Sequence, residues 1–132
     1  MKLLDTNIIM YAIGKPHLYK APCQTILKKA ASNAMEFNID VELCQELLYV
    51  YGRRGERKQG LKTVESLIEL FPNVFPVDSS VILETKTLMD KYPNLIARDA
   101  IHAAVVLVNG LDGIVSVDKV FSDIKGLKRF EP

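Results

Sequence analysis

The sequence predicts an α/β fold with a mainly parallel central sheet. Short apolar runs alternate with longer amphipathic segments along the chain, as strands separated by helices do. Gly113–Val117 is continuous and β-branched, the composition of a strand covered on both faces. The length, 132 residues, suits one core, so the chain is expected to form a single domain over 1–132.

The elements follow in order. Lys2-Leu3-Leu4 is a short apolar run that stops at Asp5-Thr6-Asn7, reading as a buried strand that ends in a loop. Ile8–Ile13 stays apolar until Gly14-Lys15-Pro16 breaks it. Ala21–Ala34 has helical spacing, with Ile26, Leu27 and Ala30 inward. Ile39 and Val41 alternate with Asn38 and Asp40, which predicts a short strand. Glu42–Arg54 reads as a helix on Leu43, Leu47, Val50 and Tyr51, and Gln59–Leu70 as another, stopped by Pro72. Val74–Val77 reads as a short strand, with Pro76 placing it at an end or edge. Asp78 or Ser79 caps a helix that runs to Lys91, and Pro93-Asn94 ends it. Ala97–Val108 is apolar on nearly every face and is expected to be buried on most sides, with Gly110 as its stop. The strand Gly113–Val117, a short helical turn and a last strand at Leu127–Phe130 complete the chain.

Composition narrows the function classes. Lys and Arg total 17 against 16 Asp and Glu, a net charge of +1, so net charge gives no footprint of a nucleic-acid binder. Cys23 and Cys44 are too few and too far apart for a disulfide framework or a zinc site, and read as buried free thiols. The most apolar stretch, Ala100–Leu111, is short of a membrane span and contains His102 and Asn109. No secretory leader is evident, since Asp5 interrupts the start. A soluble, cytoplasmic protein without membrane association is expected.

Four acids carry the chemistry. In open α/β sheets, ligands bind beyond the carboxyl ends of the strands. Asp5 follows the first strand and Asp118 follows Gly113–Val117. Glu46 lies on an apolar helical stripe between Leu43 and Val50, and Asp99 opens the most apolar helix. Each has an ordinary alternative. Asp5 and Asp118 suit turns and caps, Glu46 suits the edge of a core, and Asp99 suits a helix dipole. Together they would repel one another unless some stay protonated or a cation joins them. Mg²⁺ or Mn²⁺ prefers such oxygen ligands. A metal so held activates water and neutralises charge on a phosphodiester under attack.

At these residues the chain resembles the PIN-domain family and, within it, the VapC-type toxins of toxin–antitoxin pairs. Leu3-Leu4-Asp5-Thr6-Asn7 resembles the opening motif, Gln45-Glu46-Leu47-Leu48-Tyr49-Val50 the second and Arg98-Asp99-Ala100-Ile101-His102-Ala103-Ala104 the third. Val115-Ser116-Val117-Asp118-Lys119-Val120-Phe121, followed by Gly126-Leu127-Lys128-Arg129-Phe130-Glu131-Pro132, resembles the fourth motif and the tail. Ser116 stands where Thr is also frequent. The resemblance implies a three-layer α/β/α fold. It also implies a Mg²⁺- or Mn²⁺-dependent endoribonuclease acting on RNA, with Asp5, Glu46, Asp99 and Asp118 as catalytic metal ligands. Asn7 and Ser116 would orient ligands or water. It further implies a homodimer and an antitoxin protein that covers the site. An RNA-processing nuclease of the same chemistry and a non-catalytic RNA-binding module are the alternatives.

Lesser features have two readings each. Arg98 suits a phosphate or an acidic neighbour. Arg53, Arg54, Arg57, Lys58 and Lys62 against Glu56 suit an RNA backbone or a solvated helix junction. His102 reads as a core histidine with a satisfied hydrogen bond rather than a metal ligand. Asp123 suits a surface cap more than an auxiliary acid. Tyr11, Tyr49 and Tyr51 suit packing more than base stacking.

Overall fold

In the computed structural model, which describes residues 1–132, four strands form one sheet with the order β2-β1-β3-β4, every pairing parallel. The strands are β1 (Lys2–Leu4), β2 (Phe37–Asn38), β3 (Gly113–Val115) and β4 (Arg129–Phe130). Six helices connect them: α1 (Thr6–Ile13), α2 (Lys20–Ser32), α3 (Val41–Arg53), α4 (Arg57–Leu70), α5 (Ser79–Lys91) and α6 (Ala97–Val108). A 3-10 turn at Lys119–Asp123 links β3 to β4.

The layers follow from the period-two alternation of β1 and β3. Leu4 and Val115 point into one core, shared with Ile8 and Ile9 of α1, Cys23 and Ile26 of α2, and Leu43 and Leu47 of α3. Leu3 and Ile114 point the other way, onto Val81 and Leu88 of α5, Ala100, Ala103 and Ala104 of α6, and Phe121. The small residues of α6 let it approach the sheet closely, which explains why it is apolar on nearly every face. Cys23 and Cys44 are buried free thiols, and no helix is long and apolar enough to cross a membrane.

Several sequence boundaries move. Ile8–Ile13 belongs to α1, which starts at Thr6 because Asp5 caps it with a bond to the Thr6 N–H. The strand expected around Ile39 and Val41 lies earlier, at Phe37–Asn38. Asp40 caps α3 through the Leu43 N–H, so Val41 is already helical and half-exposed. The strand expected at Val74–Val77 is reduced to one parallel bridge between Phe75 and Asp40. The flanking Pro72 and Pro76 cannot donate to a ladder. β3 and β4 are shorter than expected, at Gly113–Val115 and Arg129–Phe130.

Gly113 has a structural reason. Its φ is +152°, and a Cβ there would sit 2.2 Å from the Lys128 carbonyl oxygen and 2.8 Å from the Phe130 ring. Only glycine lets β4 pack this closely on β3.

Candidate active site

The chain builds outward from β1 in both directions, with β2 on one side and β3 on the other. The connections leaving β1 and β3 therefore diverge, opening a crevice at their carboxyl ends. Asp5 and Ser116 flank it. The Asp5 N–H continues the ladder by donating to the Val115 carbonyl at 3.0 Å.

Asp5 is held on every side. Its Oδ1 accepts the Thr6 N–H at 2.7 Å, and its Oδ2 accepts Asn7 Nδ2 at 2.8 Å and the Ser116 hydroxyl at 2.5 Å. Ser116 Oγ in turn accepts the Asp118 N–H at 2.9 Å and lies 3.2 Å from Asn7 Nδ2. The Ser116 carbonyl is pinned by Arg129 Nη1 at 2.8 Å. Asp5 is 5% exposed, and burial pushes its carboxyl upward, against His102 and the hydrogen bonds from Ser116 and Thr6. Asn7 Oδ1 is buried and has no hydrogen-bond partner.

Glu46 reaches in from α3. Its Oε1 pairs with Arg98 Nη1 at 3.2 Å, and its Oε2 stands 3.7 Å from His102 Nε2. Burial raises the Glu46 carboxyl, but hydrogen bonds from His102 and Thr6, with the charges of His102 and Arg98, outweigh it and hold the group below its ordinary range. Arg98 thus serves an acidic neighbour in this geometry.

Asp99 lies in the first turn of α6, partly buried. Its carboxyl is pushed up to about 6, first by burial, then by the charges of Asp5 and Asp118, with Glu46 adding and His102 opposing. The four sequence-selected acids therefore feel one another electrostatically. Asp118 is the most open of them, an exposed residue whose Oδ1 accepts the Val120 N–H at 3.0 Å and caps the 3-10 turn. No three of the chain's His, Cys, Asp and Glu side chains stand close enough to form a ready-made cation site. Asp123 is exposed at the end of the 3-10 turn.

Sequence reasoning read His102 as a core histidine with a satisfied hydrogen bond, as found, but missed Asp40, its partner. His102 is fully buried, with Nδ1 2.7 Å from Oδ2 of the equally buried Asp40. Its Nε2 faces Thr6 Oγ1 at 3.4 Å, Asp5 Oδ1 at 3.7 Å and Glu46 Oε2 at 3.7 Å. Burial works against the charged ring, but Asp40, then Glu46 and Asp5, raise its pKa well above the ordinary histidine value. Glu42, one turn before Glu46, is also raised, by burial first and then by the charges of Asp40 and Glu46. The only sequence clue to Asp40 was that a histidine on an apolar helix needs a partner.

The tyrosines separate. Tyr51 is buried, whereas Tyr49 is half-exposed and accepts a bond from Arg53 Nη1 at 3.2 Å. Tyr11 packs with His17 and Tyr19. Arg53, Arg54, Arg57, Lys58 and Lys62 are all exposed at the α3–α4 junction.

This arrangement, a parallel sheet with acids gathered over the carboxyl ends of its central strands, is matched by the PIN domain family over residues 2–127. The chain belongs to that family. Within it, the chain is 30% identical to Ribonuclease VapC13 of Mycobacterium tuberculosis over 129 residues, covering 98% of each protein. Its fold is similar to that of VapBC2 from Rickettsia felis, solved bound to a DNA fragment from its promoter. The TM-score there is 0.70 at 18% identity, covering 98% of this chain and 97% of that one. A toxin–antitoxin complex from Klebsiella pneumoniae is similar too, with a TM-score of 0.69 at 16% identity over 97% and 96% of the two chains.

Proposed function

We propose that the chain is a Mg²⁺- or Mn²⁺-dependent endoribonuclease, acting as a single domain over 1–132, and the toxin of a toxin–antitoxin pair. The observation that carries this is the gathering of acids at the strand ends: Asp5 Oδ1 and Glu46 Oε2 flank one ring nitrogen at 3.7 Å, and burial with the charges of Asp5, Asp118 and Glu46 pushes the Asp99 carboxyl up to about 6. Acids that raise one another in this way form a hard-cation donor set. The unpartnered Asn7 Oδ1 is a further oxygen donor without a protein partner, and the residues present fit a divalent ion.

Asp5, Glu46, Asp99 and Asp118 would hold that ion. When bound, it supplies Lewis-acid charge neutralisation at a phosphodiester and lowers the pKa of water. The chain's own residues do the rest. Thr6, Asn7 and Ser116 fix Asp5 by donating to both of its oxygens. Arg98 holds Glu46 in the crevice. The buried, free thiols and the membrane-free helices support a cytoplasmic location. The names of the relatives support a ribonuclease, and the toxin–antitoxin complexes among similar folds support an antitoxin partner. A homodimer belongs to the same proposal.

Mapped cleavage of single-stranded RNA tests this reading. Asp5→Asn is expected to abolish metal-dependent cleavage while keeping the circular dichroism spectrum of the wild type. Chelation is expected to stop the wild type, and added Mn²⁺ to restore it. Undiminished cleavage by Asp5→Asn, or in chelator, would falsify the proposal.

A further inference from the structure

We propose that Asp40 and His102 are a positioning pair for the metal centre, holding Asp5 and Glu46 at a fixed separation from beneath. The inference rests on the metal-centre reading above.

The pair is a linkage between elements. Asp40 is the N-cap of α3, with Oδ1 on the Leu43 N–H at 2.9 Å, and its backbone is tied to Phe75 by a parallel bridge. Its other oxygen, Oδ2, therefore has a fixed position, and it fixes the His102 ring at 2.7 Å. The opposite ring nitrogen faces Thr6 Oγ1 at 3.4 Å and stands 3.7 Å from both Asp5 Oδ1 and Glu46 Oε2. Asp5 comes from the end of β1, Glu46 from α3, and His102 lies one turn beyond Asp99 on α6. One imidazole thus sets the relation between three elements that each bring an acid to the crevice.

The cap on α3 accounts for Oδ1 of Asp40 but not for the pairing of its Oδ2 with a buried ring. Burying two opposite charges costs more desolvation than the attraction returns in many proteins, and apolar replacements are often neutral or stabilising. Here both side chains are fully buried, and only the Nε2 side of the ring faces Asp5 and Glu46. Outer-shell groups of this kind orient metal ligands, and losing one weakens metal affinity by about 10–100-fold.

The experiment compares Mn²⁺ binding by calorimetry, melting temperature and RNA cleavage in the full chain. Asp40→Asn combined with His102→Leu removes the pair and keeps a capping residue on α3. It is expected to keep the circular dichroism spectrum of the wild type and to melt somewhat lower, because the new amide N–H loses its partner and Asp5 and Glu46 lose the ring beside them. Its Mn²⁺ affinity is expected to fall about tenfold or more, with kcat falling and KM for RNA unchanged. His102→Gln, which returns an amide N–H to the crevice, is expected to recover part of that affinity. A double variant that fails to fold assigns the pair a structural role and overturns the inference. So does Mn²⁺ affinity within about twofold of the wild type, below the range for outer-shell ligand partners. If Asp5→Asn still abolishes cleavage in that case, the nuclease reading stands and only the role of the pair is lost. A wild type that binds no Mn²⁺ overturns both.

Discussion

The two sides of the crevice are built differently. Both carboxylate oxygens of Asp5 have donors, and Ser116 among them is itself anchored through Arg129 and through the Asp118 N–H. Across from it, Asp99 and Asp118 are looser. Asp118 is exposed and committed only to capping a short turn, and Asp99 sits on the first turn of α6 with its carboxyl raised to about 6. The closed side is settled by hydrogen bonds, whereas the open side carries unresolved repulsion. One half of the site is thus settled before anything binds, and under the proposed function a cation would complete the other.

The strongest test of this contrast attacks the wall under the closed side. Gly113→Ala would place a methyl against the Lys128 carbonyl and the Phe130 ring. It is expected to destabilise the fold by about 2–3 kcal/mol, read by urea denaturation. A loss within experimental error would show that β4 shifts freely and that the closed side is not rigid.

Next in size is Ser116→Ala. It removes a donor to Asp5 and an acceptor from Asp118 at once, and is expected to weaken Mn²⁺ binding by about 10–100-fold. Calorimetry checks this, and unchanged affinity would mean that Asp5 is held well enough by Thr6 and Asn7 alone.

The open side should respond in the opposite sense. Asp99 has a folded pKa of about 6 against an ordinary 3.8. The folded state keeps this proton to higher pH than the unfolded state does. Stability is thus lost as pH rises from about 4 to about 6 and stays lost above it. In metal-free buffer at pH 7, Asp99→Asn is therefore expected to raise the melting temperature by a few degrees while abolishing cleavage. The gain should vanish near pH 4. A melting temperature that falls at pH 7 would remove the repulsion from the account.

The smallest effect is expected at Arg98→Ala. Its guanidinium is 42% exposed and touches Glu46 at 3.2 Å. Exposed pairs contribute about 0–1 kcal/mol, so stability should barely change and cleavage should fall only several-fold. A loss of about a thousandfold, far beyond what an exposed pair supplies, would promote Arg98 from anchoring Glu46 to contacting the substrate.

Much of this was legible in the residues. Local signals are strong where one residue type does one job: Asp78 caps α5, and the alanines of α6 mark a helix pressed onto the sheet. The acids were legible as a group because each follows a strand or opens onto its end. What stayed hidden was non-local. Asp40 and His102 lie 62 positions apart, and neither carries a mark of the other. The short strands were misjudged for a related reason. Ile39 and Val41 alternate like a strand, but the bond from the Leu43 N–H to Asp40 starts a helix there, and local propensity yields to that cap.

The register between β1 and β3 has a practical consequence for altering this chain. Leu3 lies opposite Ile114, and Leu4 opposite Val115. Adding or deleting one residue in either strand would send each leucine to the wrong core and carry Asp5 away from Ser116. The strands are thus expected to refuse insertions and deletions outright. Changes of length should be accepted best in the exposed connections at 14–18, 33–36 and 54–56. Variants with new loop lengths at those places are the ones in which the crevice can be reshaped while its floor stays where it is.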